Sequence, residues 1–404
     1  MPVRILFLAL GNFAVATGAY VIAGMLAEVA SHTGVAVSLA GQLVTVYALT
    51  YGAAAPVLSA LFGHGDRRRL LAAALVLSAA GNLLTALAPG FAALLAARII
   101  AAVGAALFAP TAIVMAADLA PLHRRGSAVA LVVTGSTLAT VLGVPAGALL
   151  AGPLGHRGVY AAIALLCVGA LVTLRALPRT GAVPRVPLRT GFGALKGVLV
   201  PAVLAVSLLA SVSDFTAYTF VVPMLTHLGD PPPAALSALL VVYGIAGSLG
   251  NTAAGWVTDR IGALWAMLAA LALLGTGLFV LPLVGGSVVL SAAALALWGL
   301  GGWGILPAVQ AKLIDAAPGA AGSVVAFNVS VVWLGMGLGG IVGGGAVEVA
   351  GMSALPVTAG LLAVAALAPL AAAARTGRRT ARRRAEQARQ EQREQGEESA
   401  PAAR

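Results

Sequence analysis

Charge is what this sequence has least of. Of its 404 residues 9% are charged and 60% are hydrophobic, where a soluble domain carries about 25% charge. Such a chain cannot cover a water-facing surface, so lipid must be the solvent for most of it. Acids are scarcer than bases, 13 against 24, for a net charge of +11. The basic residues sit in short loops and a tail between apolar runs, which is a topology signal and excludes nucleic acid as the partner. The single cysteine, Cys167, lies in an apolar run and excludes an intramolecular disulfide. The only lysines, Lys196 and Lys312, follow leucine and alanine. A phosphate-cradling P-loop needs glycine there, so ATP does not power this chain. There is no HExxH pattern, and the five histidines lack metal-ligand spacing. Neither an enzyme, a metal nor a cofactor is expected.

What is present is a repeat. Asp118 to Gly155 reads DLAPLHRRGSAVALVVTGSTLATVLGVPAGALLAGPLG, and a second version starts at Asp315. Pro121, Gly126 and Ser127 match Pro318, Gly322 and Ser323, and Gly143, Gly147 and Gly155 match Gly339, Gly343 and Gly351. Tyr47 pairs with Tyr243, and Ala19–Tyr20 with Ala217–Tyr218. The offset is close to half the chain, so the protein is two copies of one unit. Gly335, Gly337 and Gly340 fit a dinucleotide pattern, but they lie inside an apolar run with no strand before them. Glycine here permits close helix packing.

Twelve apolar runs approach the ~20 residues that cross a bilayer as helix: 5–27, 39–61, 70–88, 92–117, 127–150, 158–176, 198–225, 235–255, 264–283, 288–311, 323–347 and 354–374. The first could pass for a signal peptide, but it has a counterpart opening the second half, so it is read as a span. The fold expected is an all-α membrane protein of two six-helix bundles related by a pseudo-two-fold axis along the membrane normal. Residues 1–176 form the first bundle and 198–374 the second. Residues 177–197, rich in Pro, Gly and Arg, are a cytoplasmic linker, and 375–404 a basic, disordered cytoplasmic tail. With the N-terminus in the cytoplasm, 22 of the 24 basic residues face that side; Arg98 and Arg157 are the exceptions.

At this point the chain resembles the major facilitator superfamily, and within it the twelve-span drug:proton antiporter branch of bacterial drug, sugar and purine efflux permeases. The fifth span carries Gly135, Gly143, Pro145 and Gly147, similar to that branch's antiporter motif, with the usual Gly-Pro opened by Val144. The resemblance implies export rather than uptake. The family's loop between spans 2 and 3 survives in the second half as Gly255, Asp259, Arg260 and Gly262. In the first half it is degenerate: Ser59, Gly63 and His64 replace the glycine, aspartate and arginine, and Asp66 falls three residues late, before Arg67. The resemblance implies a cytoplasmic latch between the halves, better carried by Asp259 than by Asp66. Arg98 with Gly104 resembles the fourth-span motif, whose arginine is implicated in proton coupling.

Two charges fall within spans, Arg98 and Asp214. Each is expensive in a bilayer without a partner or a watered cavity. Both are expected to face one central cavity, relieving each other, with Asp214 exchanging protons. Tyr218 lies one turn beyond Asp214 on the same face. Tyr20, Tyr218, Trp303 and Asn328 are expected to line the substrate cavity, with Trp298 and Trp333 as further aromatics. Glu28 and Glu348, at outer helix ends, are expected to be solvated.

The sequence thus reads as a monomeric inner-membrane (plasma-membrane) secondary transporter with both termini cytoplasmic, bathed in lipid. It exports a small organic compound, drug-like, sugar or nucleoside, in exchange for protons. An importer or uniporter, or a membrane sensor of the same fold, are the alternatives, and flux in inverted vesicles separates a sensor from a transporter. For the topology, single cysteines placed within 62–69, 177–197 and 375–404 are expected to react with an impermeant thiol reagent only from the cytoplasmic side. Labelling of 62–69 from outside would overturn the assignment.

Overall fold

Lipid offers no hydrogen-bond partners, so each apolar run must satisfy its own backbone, and a helix does so. The computed structural model describes residues 3–62, 65–121, 124–178 and 193–376 and is helical almost throughout. The long helices are α1 (Val3–Tyr20), α2 (Gln42–Phe62), α3 (Arg67–Leu87) and α4 (Phe91–Leu119). One continuous helical stretch, Arg125–Thr173, supplies α5 (125–154) and α6 (156–173). The second half follows with α7 (Leu199–Tyr218), α8 (Pro233–Ile261), α9 (Ala263–Val284), α10 (Val288–Ala316), α11 (Ala321–Ala350) and α12 (Ala354–Thr376, interrupted by a turn at Ala366). Gly63, His64, most of the expected linker and the tail from 377 lie outside the described residues.

Among the described residues eleven segments are long and apolar enough to cross a membrane. One of them, Ser127–Ala176, has 50 residues, about 75 Å of helix at 1.5 Å per residue. That is more than twice the ~30 Å hydrocarbon core, so it contains two crossings and must turn back. It does so at Gly155, whose φ of 62° and ψ of 169° are open essentially to glycine alone. Gly351, its repeat partner, takes φ 79° and ψ 178° between α11 and α12. The repeat in sequence is a repeat in backbone conformation.

Two expected spans are corrected. Runs 5–27 and 198–225 are not continuous helices: α1 stops at Tyr20 and α7 at Tyr218, the two paired tyrosines. A 3-10 turn, Val21–Gly24, and a helix, Leu26–Thr33, follow α1, while Val221–Gly229 follows α7. These short segments pack on one another at the face opposite the basic loops. The breaks have a use in the first half, where the freed carbonyls receive Arg98, as described below.

Each half is a six-helix bundle, and the halves meet through α2 with α11 and α5 with α8. The repeat exchanges these two contacts, since α2 corresponds to α8 and α5 to α11. Glycines bring the backbones together. A Cβ on Gly244 would stand 2.6 Å from Val141 Cα, and one on Gly52 3.2 Å from the Ser330 carbonyl oxygen. Thr45 Oγ1 donates to the Gly337 carbonyl at 3.2 Å, and Ser38 Oγ to Glu348 Oε1 at 3.0 Å. Glu348 is exposed, as expected, and its carboxylate also bridges the halves. The halves are therefore tied together on the face of Ser38 and Glu348.

Gly155→Ala is expected to lower stability by about 1–3 kcal/mol, because a Cβ is strained at that turn. Thermal unfolding in detergent reads it, and an unchanged Tm would show that the turn relaxes without cost.

Candidate functional site

The seventh helix organises the site. Ser211, Asp214 and Phe215 are spaced i, i+3 and i+4, so they share one face, and they line a small cavity of about 60 Å³ between the halves. Tyr20 enters from the end of α1, Gly302, Trp303 and Leu306 from α10, and Val332, Trp333 and Met336 from α11. Trp333 is the ring on which the halves meet. It stacks on Tyr51 at 3.9 Å between centroids and lies 6.1 Å from Tyr47 and 6.4 Å from Tyr20. Tyr20 also meets Trp303 edge-on at 6.3 Å.

Asp214 is 4% exposed. Tyr243 Oη donates to its Oδ1 at 3.0 Å, Trp298 Nε1 donates to the same oxygen at 2.5 Å, and Trp303 Nε1 donates to Tyr243 Oη at 3.1 Å. Among the described residues Oδ2 receives no hydrogen bond. One carboxylate oxygen is fixed by ring donors, and the other is left for a proton or a ligand. Because Trp303 also lines the cavity, a guest stacked on it is two hydrogen bonds from the carboxylate.

Arg98 is 0% exposed and is not at this cavity. The expected pairing with Asp214 is not found. Its guanidinium donates instead to the Gly18 carbonyl at 2.6 Å and the Ala19 carbonyl at 3.4 Å. These are last-turn carbonyls of α1, opened by the break at Tyr20 and at the negative end of the helix dipole. The guanidinium carbon lies 4.2 Å from the Tyr47 ring centre and 5.7 Å from that of Tyr160, a cation–π arrangement. Carbonyls and rings replace the carboxylate that its cost in lipid seemed to demand. A ring path through Tyr47, Trp333, Tyr20 and Trp303 still joins the two charges.

Of the four expected cavity residues, Tyr20 and Trp303 line it and two do not. Tyr218 is buried against Tyr243 and Phe215, at 5.0 and 5.7 Å. Asn328 is buried two turns along α11 from Met336. Tyr218 packs within the second half, and a polar or aromatic residue in a span does not reveal which neighbour it faces. Ser211, Phe215, Met336 and Tyr243 were missed. Helical spacing from Asp214 identifies the first two, and the pairing with Tyr47 marks the last.

Of the antiporter-motif residues, Gly135 and Gly143 face α1 and Gly147 faces the break that follows it. A Cβ on Gly135 would reach 3.0 Å from Phe13 N and one on Gly147 3.3 Å from Met25, whereas Gly143 has ordinary clearance, 3.9 Å from Thr17. Pro145 sits within the helix. At the basic face Asp66 caps α3, accepting from the Arg68 N–H at 3.0 Å, and Arg67 pairs with Asp118 at the end of α4. Asp259 is exposed, and Arg260 lies 3.9 Å over the ring of its own helix's Trp256. These contacts of the expected latch residues stay within one half. On the opposite face Glu28, expected to be solvated, holds His156: its carboxylate accepts from the His156 N–H at 3.1 Å and meets Nδ1 at 2.9 Å.

The sequence profile of the Major Facilitator Superfamily matches residues 8–231 and 203–402. An uncharacterised MFS-type transporter of Bacillus subtilis, YbcL, is 35% identical over 346 residues, covering 85% of this chain and 89% of its own. A chloramphenicol resistance protein of Streptomyces lividans is 33% identical over 265 residues, 64% of this chain and 68% of its own. Among solved structures, a bacterial homologue of the human lysosomal transporter Spinster, inward-facing and occupied, superposes with a TM-score of 0.75 at 17% identity, covering 92% and 96% of the two chains.

A Cβ at Gly302 would stand 2.7 Å from Asp214 Oδ1. Gly302→Ala is therefore expected to displace the carboxylate and weaken ligand binding roughly tenfold, about 1.4 kcal/mol, at unchanged membrane insertion. Tryptophan fluorescence titration checks it; wild-type affinity would mean that the carboxylate does not shape the ligand site.

Proposed function

The chain belongs to the Major Facilitator Superfamily, and on that footing we propose that it exports a small amphipathic aromatic compound in exchange for protons. The observation that carries this reading is Asp214. It is a buried carboxylate with one oxygen unengaged, in a cavity walled by aromatic rings from both halves. Such walls accept varied flat, apolar bodies, and a single acid orients a cationic or hydroxylated end. The likeness to a chloramphenicol resistance protein supports efflux and an aromatic guest.

In the mechanism proposed, a proton and the substrate compete for Asp214. In this reading the basic face is cytoplasmic, in the plasma membrane. Substrate entering from the cytoplasm takes the free oxygen and displaces the proton. Residues 1–176 and 198–374 then rock about the cavity, with 177–197 joining them. Ser38 and Glu348 part, and the segments around Asp66, Arg67, Gly255, Asp259 and Arg260 close as the inner latch. A proton from outside displaces the substrate. Arg98 acts in coupling through the ring path rather than by pairing. Each proton supplies about 2.3 kcal/mol per 100 mV. A monomer suffices for the cycle.

Proteoliposomes carry the test, with chloramphenicol and related aromatic compounds as probes. Wild-type protein is expected to build a substrate gradient from a pH difference, and Asp214→Asn to reduce that to background. Substrate binding by Asp214→Asn should stay within about tenfold of wild type, because the aromatic walls remain. An Asp214→Asn protein that still accumulates substrate would remove Asp214 as the proton carrier.

A further inference from the structure

A second and larger cavity, about 680 Å³, lies at the basic face between the start of α9, the end of α10 and the end of α12. It shares no residue with the cavity at Asp214. Its walls are apolar, from Leu268, Leu367, Leu370 and Ala371, with Trp265 at its rim, 62% exposed. Two charges line it, Lys312 and Asp315, one turn apart on α10.

The repeat explains why this place is open. In the first half, α3 begins Arg67-Arg68-Arg69, and Arg67 reaches Asp118 at the end of α4. In the second half, α9 begins Ala263-Leu264-Trp265. Asp315, the repeat partner of Asp118, therefore receives no cation from α9. Neither it nor Lys312 forms an ion pair or side-chain hydrogen bond among the described residues. The helix starts differ too. Asp66 caps α3 with its side chain, while Gly262 leaves the first N–H groups of α9 without a side-chain cap. What protein atoms close in one half stays open in the other: an acid, a base and a helix amino end above an apolar groove.

We propose that this groove binds a phospholipid with a primary ammonium headgroup. The phosphate takes Lys312 and the free N–H groups of α9. The ammonium takes Asp315, and an acyl chain follows the walls of α9 and α12, with Trp265 at the level of the headgroups. The volume falls within the ~300–1,000 Å³ usual for small-molecule sites. The paired charges select the headgroup: an anionic lipid leaves Asp315 facing a negative charge, and a choline lipid cannot donate a hydrogen bond to it. Residues 377–404 lie outside the described residues. They are rich in arginine and have no apolar run to fill such walls.

Native mass spectrometry of the delipidated full-length protein tests this, with phosphatidylethanolamine, phosphatidylcholine and phosphatidylglycerol of equal chain length. Wild type is expected to bind the ethanolamine lipid about tenfold more tightly than the other two, the usual effect of a charged hydrogen bond. Asp315→Asn should erase that preference while retaining lipid, and Lys312→Ala should weaken all three. Unchanged thermal unfolding of both variants excludes misfolding as the cause. No headgroup preference in wild type, or one that survives Asp315→Asn, overturns the proposal. So does a chain lacking 378–404 that binds every lipid several-fold better, since the tail would then be the occupant.

Discussion

Contact between backbones holds this protein together, because lipid gives apolar helices no drive to leave it for one another. Dispersion between closely approaching surfaces must serve instead, and glycine permits the approach. The eleventh helix carries two rows. Gly335, Gly339 and Gly343 face α7 within its half, and Gly337 and Gly340 face Thr45 of α2 across the interface. On α5 the same demand is met differently. Gly135 admits α1 and Gly147 the turn after it, but toward α8 the partner supplies the small residue, Gly244 against Val141. Rings interlock around Trp333, while among the described residues two side-chain hydrogen bonds cross between the halves, from Thr45 and Ser38. The glycine contacts can part without repacking, which the proposed rocking motion requires.

The two intramembrane charges show what that close packing leaves possible. Arg98 is a permanent cation, and its partners are as fixed as it is: the carbonyls at the end of α1 and the rings of Tyr47 and Tyr160. Only the carboxyl of Asp214 can gain and lose a proton, and only it borders the cavity. The halves match in plan but not in content. Arg98 sits over Tyr47 in one, and in the other Trp298 sits edge-on to Tyr243, the repeat partner of Tyr47, at 4.9 Å. All five tryptophans, at 256, 265, 298, 303 and 333, are in the second half. Duplication supplied the frame, and divergence gave one copy an arginine held by carbonyls and rings and the other a carboxyl at the cavity.

The sequence made the frame legible because a repeat is a long-range signal that needs no contact map. The match of Gly155 to Gly351 reappears as two glycines of nearly the same φ and ψ, and the match of Tyr20 to Tyr218 as the ends of α1 and α7. What stayed hidden depends on distances the sequence does not encode. The break at Tyr20 lies in an unbroken apolar run, so its carbonyls could not be foreseen as partners for Arg98. The cost of a lone charge then pointed to Asp214, the wrong partner. Glu28 looked solvated because His156, its partner, is 128 residues away in sequence. Tyr218 and Asn328 were expected at the cavity but are buried away from it, because a residue buried in a bundle can face a neighbouring helix instead.

Glu28 also bears on how the face of Ser38 and Glu348 holds. Its carboxylate accepts the His156 N–H just after the Gly155 turn, so it caps the amino end of α6 and faces the imidazole as well. It belongs to the short helix Leu26–Thr33 that follows the break in α1. The cap therefore ties that segment to the turn between α5 and α6, inside one half. Val221–Gly229 of the other half packs against the same segment, and Ser38 meets Glu348 nearby. The contacts within the half are capped and buried, while those across it are apolar touches and one exchangeable hydrogen bond. Net hydrogen-bond strength near ~1 kcal/mol makes the second kind the cheaper to break. In the rocking motion proposed above, the short helices would travel with their own halves, and the cleft would form between Leu26–Thr33 and Val221–Gly229.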